Sequence, residues 1–163
     1  MGQRERLLLQ IAVLIHACGK FISMKNSNEC GYTLIMSTEI IGLSHLEREI
    51  IANVVRYNIR DFDYDMMQLE TEAGQDLAGV SDRTAITILI AKLTAILRLA
   101  NSMDKTHKSK LIDCRMAVRE GQLVITTGYK GDLALESASF EQKAAFFEEI
   151  FGIRPVLKQK RRV

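Results

Sequence analysis

Two short stretches of the sequence carry side chains that could do chemistry. The first is His16-Ala17-Cys18-Gly19-Lys20-Phe21-Ile22-Ser23, in which an imidazole and a thiol lie two residues apart, with Cys30 following. Imidazole and thiolate suit zinc, but a structural zinc site takes four ligands, and His16, Cys18 and Cys30 make three at most. Residues two apart on a helix also point to different faces. The plainer expectation is a buried, hydrogen-bonded His16 and a small core residue in Cys18. The second stretch is Asp104-Lys105-Thr106-His107-Lys108-Ser109-Lys110. Several flexible ammonium groups side by side can hold a polyanion, although cations at a helix C-terminus also stabilise the helix itself. Asp61, Asp63 and Asp65 alternate as calcium ligands do, but the EF-hand glycine and terminal glutamate are not at their places, so a solvated acidic loop is expected. The sequence contains no glycine-rich nucleotide loop, Ser/His/Asp set or zinc signature.

The elements that must position these residues follow from pattern. Leu7, Ile11, Leu14, Ile15 and Cys18 recur at helical spacing and predict a helix over about 4–21. A second helix is expected over 32–41. Ser44 and Glu47 form a capping box ahead of Ile50, Ile51, Val54 and Val55, so a third helix should end near Asn58. Residues 59–79 are acidic and weakly periodic, which predicts a loop with at most a short helix. Ser81 is a candidate N-cap for a long helix to about Met103, apolar almost all round and therefore buried. After Lys110 the texture changes. Strands are expected over 111–118 and 122–127, turning at Glu120-Gly121, with a third short strand over 133–136. Ser139 would cap a helix running through Gly152, and residues 153–158 would return as an edge strand that tolerates Pro155. The fold class is α+β: a mostly helical domain, 1–110, and a small α+β domain, 111–163, with a basic tail of Lys158, Lys160, Arg161 and Arg162.

Composition sets outer bounds. The chain has 163 residues, 47% hydrophobic and 26% charged, with one proline and ten glycines. That excludes a disordered tail, a collagen-like fibre and a Pro-rich linker. A net charge of +2 is too weak to imply specific nucleic-acid binding. Three cysteines without a CxxC spacing argue for a reducing, cytoplasmic setting. The apolar runs at 7–21 and 86–100 are interrupted by polar residues and fall short of the roughly 20 residues a membrane span needs. No cleavable signal is evident, and no membrane partner is expected.

The segment at His16 resembles the HD-x-G-K motif of HD-domain metallophosphohydrolases. Further along, Ile41-Gly42-Leu43-Ser44, the stretch 47–51, Val55-Arg56-Tyr57, Lys92-Leu93, Leu99-Ala100, Asp104-Lys105-Thr106-His107-Lys108 and the stretch 147–155 look like one family in order. The chain thus resembles the C-terminal region of the exopolyphosphatase and guanosine pentaphosphate phosphatase (Ppx/GppA) family along nearly its whole length.

The resemblance implies an HD-like helical domain and makes the departures readable. A working HD site holds a divalent metal with histidines and aspartates. Here His16 remains, but its partner aspartate is Ala17, which has no donor atom. A later histidine pair falls on Ser27-Asn28 and a nearby histidine on Cys30. The histidine after the Arg-Tyr pair falls on Asn58, and the distal aspartate on Asn101. An amide is a neutral, weaker ligand than a carboxylate, so no metal, no other cofactor and no catalytic residue are expected. The family's hydrolytic site lies in N-terminal domains that nothing in this chain matches, and an upstream helix typical of the family is also missing, so the chain is expected to be a fragment or truncated reading frame. In the family, basic residues of the C-terminal domains are thought to line the path of the polyphosphate chain. By that resemblance Lys105, His107, Lys108 and Lys110 are candidate phosphate-binding residues, with Arg56, Lys92 and Arg98 joining if their helices meet there.

The expected function is a non-catalytic C-terminal module of a Ppx/GppA-type phosphatase. It would bind polyphosphate or a phosphorylated nucleotide, support a homodimer, and partner the N-terminal catalytic domains if the parent protein has them. One alternative is an active metal-dependent HD-class phosphohydrolase. The other is a purely structural dimerisation domain, favoured by a first helix with an apolar face lacking a partner.

Overall fold

The computed structural model describes residues 1–64, 67, 69 and 83–160. Most of the expected acidic loop, the Ser81 cap, and Arg161 and Arg162 lie outside the described residues. The fold is α+β and mostly helical, and the chain forms two compact units, Met1–Leu97 and Arg98–Val163.

The first unit is built from α1 (Gln3–Ile15), a short 3-10 helix (Cys18–Phe21), α2 (Ser27–Ser37), α3 (His45–Tyr57) and the first part of α4 (Arg83–Met103). Its core joins Leu8 and Ala12 of α1, Ile35 of α2, Ile50, Ile51, Val54 and Val55 of α3, and Ile86, Ile90, Leu93 and Leu97 of α4. The expected capping box is present at the start of α3: Glu47 N–H donates to Ser44 Oγ at 3.2 Å, and Ser44 N–H donates to Glu47 Oε2 at 2.9 Å. Glu47 is buried and also takes the guanidinium of Arg4 in α1, with Nη2 to Oε2 at 2.7 Å. One carboxylate therefore ties the first helix to the third. These bonds, Arg4 first, hold the Glu47 carboxyl below its ordinary range against the opposing effect of burial.

The first helix is shorter than the apolar periodicity predicts. It stops at Ile15, and the backbone turns at His16 and Ala17 into the 3-10 helix. Gly19 explains the break. A Cβ at Gly19 would sit inside the carbonyl oxygen of Ser27 and 2.5 Å from the backbone nitrogen of Gly31. The 3-10 segment thus lies with its backbone against the first turns of α2, an approach open only to glycine. The second helix starts five residues earlier than the pattern suggested and ends at Ser37, where the Thr38 and Ser37 hydroxyls donate to the Leu34 carbonyl at 2.7 and 3.1 Å.

The second unit holds the last turn of α4, β1 (Cys114–Arg119), β2 (Gln122–Thr127), α5 (Ala134–Phe151) and β3 (Arg154–Gln159). The sheet order is β1-β2-β3, with β1 and β2 antiparallel and β2 and β3 parallel. Glu120 and Gly121 both have positive φ, 50° and 74°, which is the two-residue type I′ turn that matches strand twist. Pro155 sits in β3, an edge strand, as expected. The third strand expected over 133–136 does not form. Asp132 Oδ1 accepts the Ala134 N–H at 2.8 Å, and Ser137 N–H donates to the Leu133 carbonyl at 2.8 Å, so the helix begins there and Ser139 lies inside it. Ala134, Leu135 and Glu136 are good helix formers, and Glu136 in the first turn complements the helix dipole. Gly152, at φ 67°, closes the helix.

The contact at Gly19 gives a direct test. Gly19→Ala should lower stability by about 3 kcal/mol or more in urea unfolding, because backbone rather than a flexible side chain blocks the added carbon. Gly128→Ala, where a Cβ would meet nothing within 4 Å, should be near neutral. A loss below about 1 kcal/mol at Gly19 would contradict the packing described.

Candidate functional site

The run that follows α4 forms a closed turn. Asp104 organises it: its carbonyl accepts the His107 N–H at 3.0 Å, and its Oδ1 accepts the Ser109 N–H at 2.9 Å. His107 and Ser109 are held at φ 52° and 50°, a region that side-chain-bearing residues seldom occupy. Lys105, His107 and Lys108 are exposed, and none of their side chains makes a hydrogen bond or ion pair among the described residues.

Lys110 stands apart from that group. Its ammonium donates to Glu136 Oε2 at 3.1 Å and to the Asp132 carbonyl at 2.9 Å, and its side chain is only 14% exposed. Glu136 is 0% exposed, and its other oxygen accepts the Thr106 hydroxyl. The hydrogen bond from Thr106, helped by Lys110, holds the Glu136 carboxyl below its ordinary value of 4.5, against burial acting the other way. The turn is therefore fastened to α5 at Thr106 and at Lys110, with the exposed cations between and beside the fasteners.

Of the remaining basic candidates, Arg98 and Arg56 are engaged. Arg98 is buried, with its guanidinium over the Phe146 ring at 4.6 Å. Arg56 is bound to Glu29 at 2.9 Å and lies over the Tyr32 ring at 4.9 Å. Arg60, on the loop after α3, shares that Glu29 at 3.1 Å. Lys92 is half-buried in α4. Arg56 and Lys92 belong to the first unit, whereas Arg98 and the turn belong to the second.

The positions expected from the HD resemblance to be remnants of a metal site divide the same way. His16, Ala17, Asn28 and Asn58 are in the first unit and Asn101 is in the second. His16 is half-buried rather than buried, and its Nδ1 is 2.7 Å from the Val13 carbonyl. Ala17 offers no donor, and Asn28 lies in the first turn of α2. Cys18 packs against the core, and burial raises its thiol pKa. Among the described residues no three His, Cys, Asp or Glu side chains gather where they could hold a metal ion.

Glu136 and Thr106 escaped the sequence reading. A glutamate thirty residues downstream of a lysine run gives no periodic signal, and its partnership with Lys110 depends on α5 starting at Ala134.

The chain is thus a helical unit followed by a small three-stranded α+β unit that carries a fastened cationic turn. Residues 1–144 match the family model described as Ppx/GppA phosphatase, domain III. The chain belongs to the Ppx/GppA phosphatase family. No curated protein matches it. One helix among the described residues, α4, is long and apolar enough to cross a membrane; it carries Lys92 and Arg98, and half of its most apolar window is buried within the protein.

The buried carboxylate carries a pH signature. Its depressed pKa means that its stabilising contribution is complete above the unfolded value and is lost as pH falls through the lower, folded one. Glu136→Gln should therefore cost about 1–3 kcal/mol near neutrality. The gap to wild type should narrow in acid, below the ordinary 4.5. Chemical denaturation across that pH range measures it, and a gap that stays constant would contradict the assignment.

Proposed function

We propose that this chain is a non-catalytic C-terminal module of a Ppx/GppA-type phosphatase and that it binds polyphosphate or a phosphorylated nucleotide. The observation that carries the reading is the turn 104–110, whose backbone is fixed by Asp104 and whose ends are held through Glu136. Lys105, His107 and Lys108 thereby stay exposed without partners among the described residues. A site arranged before its ligand arrives loses less conformational freedom on binding. Lys110 serves as the positioning residue, and the ligand contacts fall to the other three.

The donor set at the HD positions does not suit a divalent cation. It offers one imidazole already bonded to a carbonyl, one alanine, one hydroxyl, one thiol and neutral amides, with no carboxylate to balance the charge. The module is therefore read as metal-free, with hydrolysis left to N-terminal catalytic domains of a parent protein. Support for a homodimer comes from exposed apolar side chains in the first unit, including Leu14 at 82% and Phe21 at 95% exposure.

Calorimetric titration with long-chain polyphosphate tests the ligand reading. Wild type should bind saturably, and more weakly as salt rises. A Lys105→Ala/Lys108→Ala variant should lose about tenfold in affinity, since each charge-assisted contact is worth about 1 kcal/mol or more. Unchanged affinity in the variant would remove the turn from the site. Sedimentation of the same samples should show a dimer at micromolar concentration, and a strict monomer would contradict the association reading.

A further inference from the structure

The small sheet ends on a strand, β1, that is bare at its outer edge and largely bare on both faces. β1 pairs with β2 in an unbroken register from Cys114 to Arg119, and no other strand among the described residues lies along its outer edge. Soluble proteins often blunt such an edge with a proline or a bulge, and β1 has neither in its six residues. The hairpin fixes which backbone groups face outward. In a two-residue hairpin the closing pair, here Arg119 and Gln122, exchanges hydrogen bonds, and bonded and non-bonded pairs then alternate along the ladder. Cys114, Met116 and Val118 therefore turn their N–H and C=O groups to the free edge.

The side chains of these three residues share one face of the sheet. Met116 sits opposite Ile125 and Val118 opposite Leu123, on the side where Ile125 is only 1% exposed. Met116 and Val118 are themselves 58% and 64% exposed, so the cover over that side stops at β2. α5 packs along β3, at the far edge. The other face of β1 carries Arg115 and Arg119 on either side of the small Ala117. Both arginines are exposed, and neither makes a side-chain hydrogen bond or ion pair among the described residues. With Ala117, Val124, Thr126 and Lys160 they line a hollow of ≈ 320 Å³ to which no carboxylate contributes.

We propose that the free edge of β1 takes up an added strand from a partner protein, an extended segment in which acidic residues alternate with apolar ones. Pairing with Cys114, Met116 and Val118 supplies the main-chain bonds, and side-chain parity sets the sequence that fits. Carboxylates four residues apart fall opposite Arg115 and Arg119. β-Branched residues between them fall opposite Met116 and Val118 and complete the apolar cover. Asp113 and Glu120 stand just beyond the ends of the strand, so acidic residues outside that span gain nothing. Charge also argues against a second copy of this chain as the occupant. The antiparallel register that matches β1 to itself end to end puts Arg115 of one copy opposite Arg119 of the other, and like charges so placed destabilise the pair. The surface is separate from the turn at 104–110 and recognises a peptide through its backbone.

Fluorescence anisotropy on the full chain tests it, with a labelled peptide reading glutamate, valine, threonine, valine, glutamate between glycine-serine flanks. Wild type should bind it saturably. A peptide of the same composition with its two glutamates adjacent should bind at least tenfold more weakly. Arg115→Glu/Arg119→Glu should weaken binding at least tenfold and reverse the preference toward a peptide with lysine in place of glutamate. Backbone N-methylation of the peptide, with wild-type protein, separates strand pairing from charge attraction. Methyl groups on both valine nitrogens, which face β1 in an antiparallel strand, should abolish binding. Methyl groups on the threonine and second glutamate nitrogens, which face away, should leave it within about threefold. The opposite pattern marks a parallel strand and supports the proposal equally.

Equal effects of the two methylated sets, no binding by wild type, or affinity kept within about twofold after reversal at both arginines overturns the proposal. So does sedimentation in which Val118→Lys turns a dimer into a monomer, because a second copy then occupies the edge. Lys105→Ala/Lys108→Ala should leave peptide affinity within about threefold, so this proposal and the reading of the turn stand or fall separately.

Discussion

A carboxylate with no exposure to solvent must find donors inside the protein or give up its charge. Glu136 meets that demand with the Thr106 hydroxyl and the Lys110 ammonium. The arrangement of the candidate surface depends on this constraint. It fastens the turn after α4 to the first turn of α5, and it consumes one cation of the basic run so that the others project outward. The first unit uses the same device. Glu47 caps α3 through Ser44 and holds Arg4 of α1, which also donates to the Gly42 carbonyl at 2.7 Å. In both units a single buried or nearly buried glutamate joins segments distant in sequence.

Much of the fold was legible where local chemistry decides the outcome. The Ser44–Glu47 box, the Glu120-Gly121 turn and the edge position of Pro155 each depend on a few neighbouring residues, and each is found as expected. The misreadings arose where distant contacts decide. Periodicity carried the first helix through Cys18, but the close approach of Gly19 to α2 breaks it at Ile15. The stretch 133–136 looked like a strand after Gly131, but a side-chain bond from Asp132 starts a helix there. For the candidate site, the basic run was visible as composition. That Lys110 is spoken for, that Arg98 lies on Phe146 and that Arg56 belongs to Glu29 could be learned only from the tertiary structure.

The division of the cations into engaged and available ones shapes the functional reading. Arginines and lysines bound to internal carboxylates or stacked on rings hold the structure together. Lys105, His107 and Lys108 on the turn, and Arg115, Arg119, Lys158 and Lys160 on the sheet, have no such duties among the described residues. All seven belong to the second unit. A near-neutral chain can thus present a locally positive surface.

Residue-resolved NMR would test this account most directly, by following backbone amides of the isotope-labelled chain as polyphosphate is added. The account predicts shift changes concentrated in the second unit, at residues 105–109, with the helices α1 to α3 unmoved. Changes centred on α1 to α3, or none at ligand concentrations that saturate binding, would contradict it.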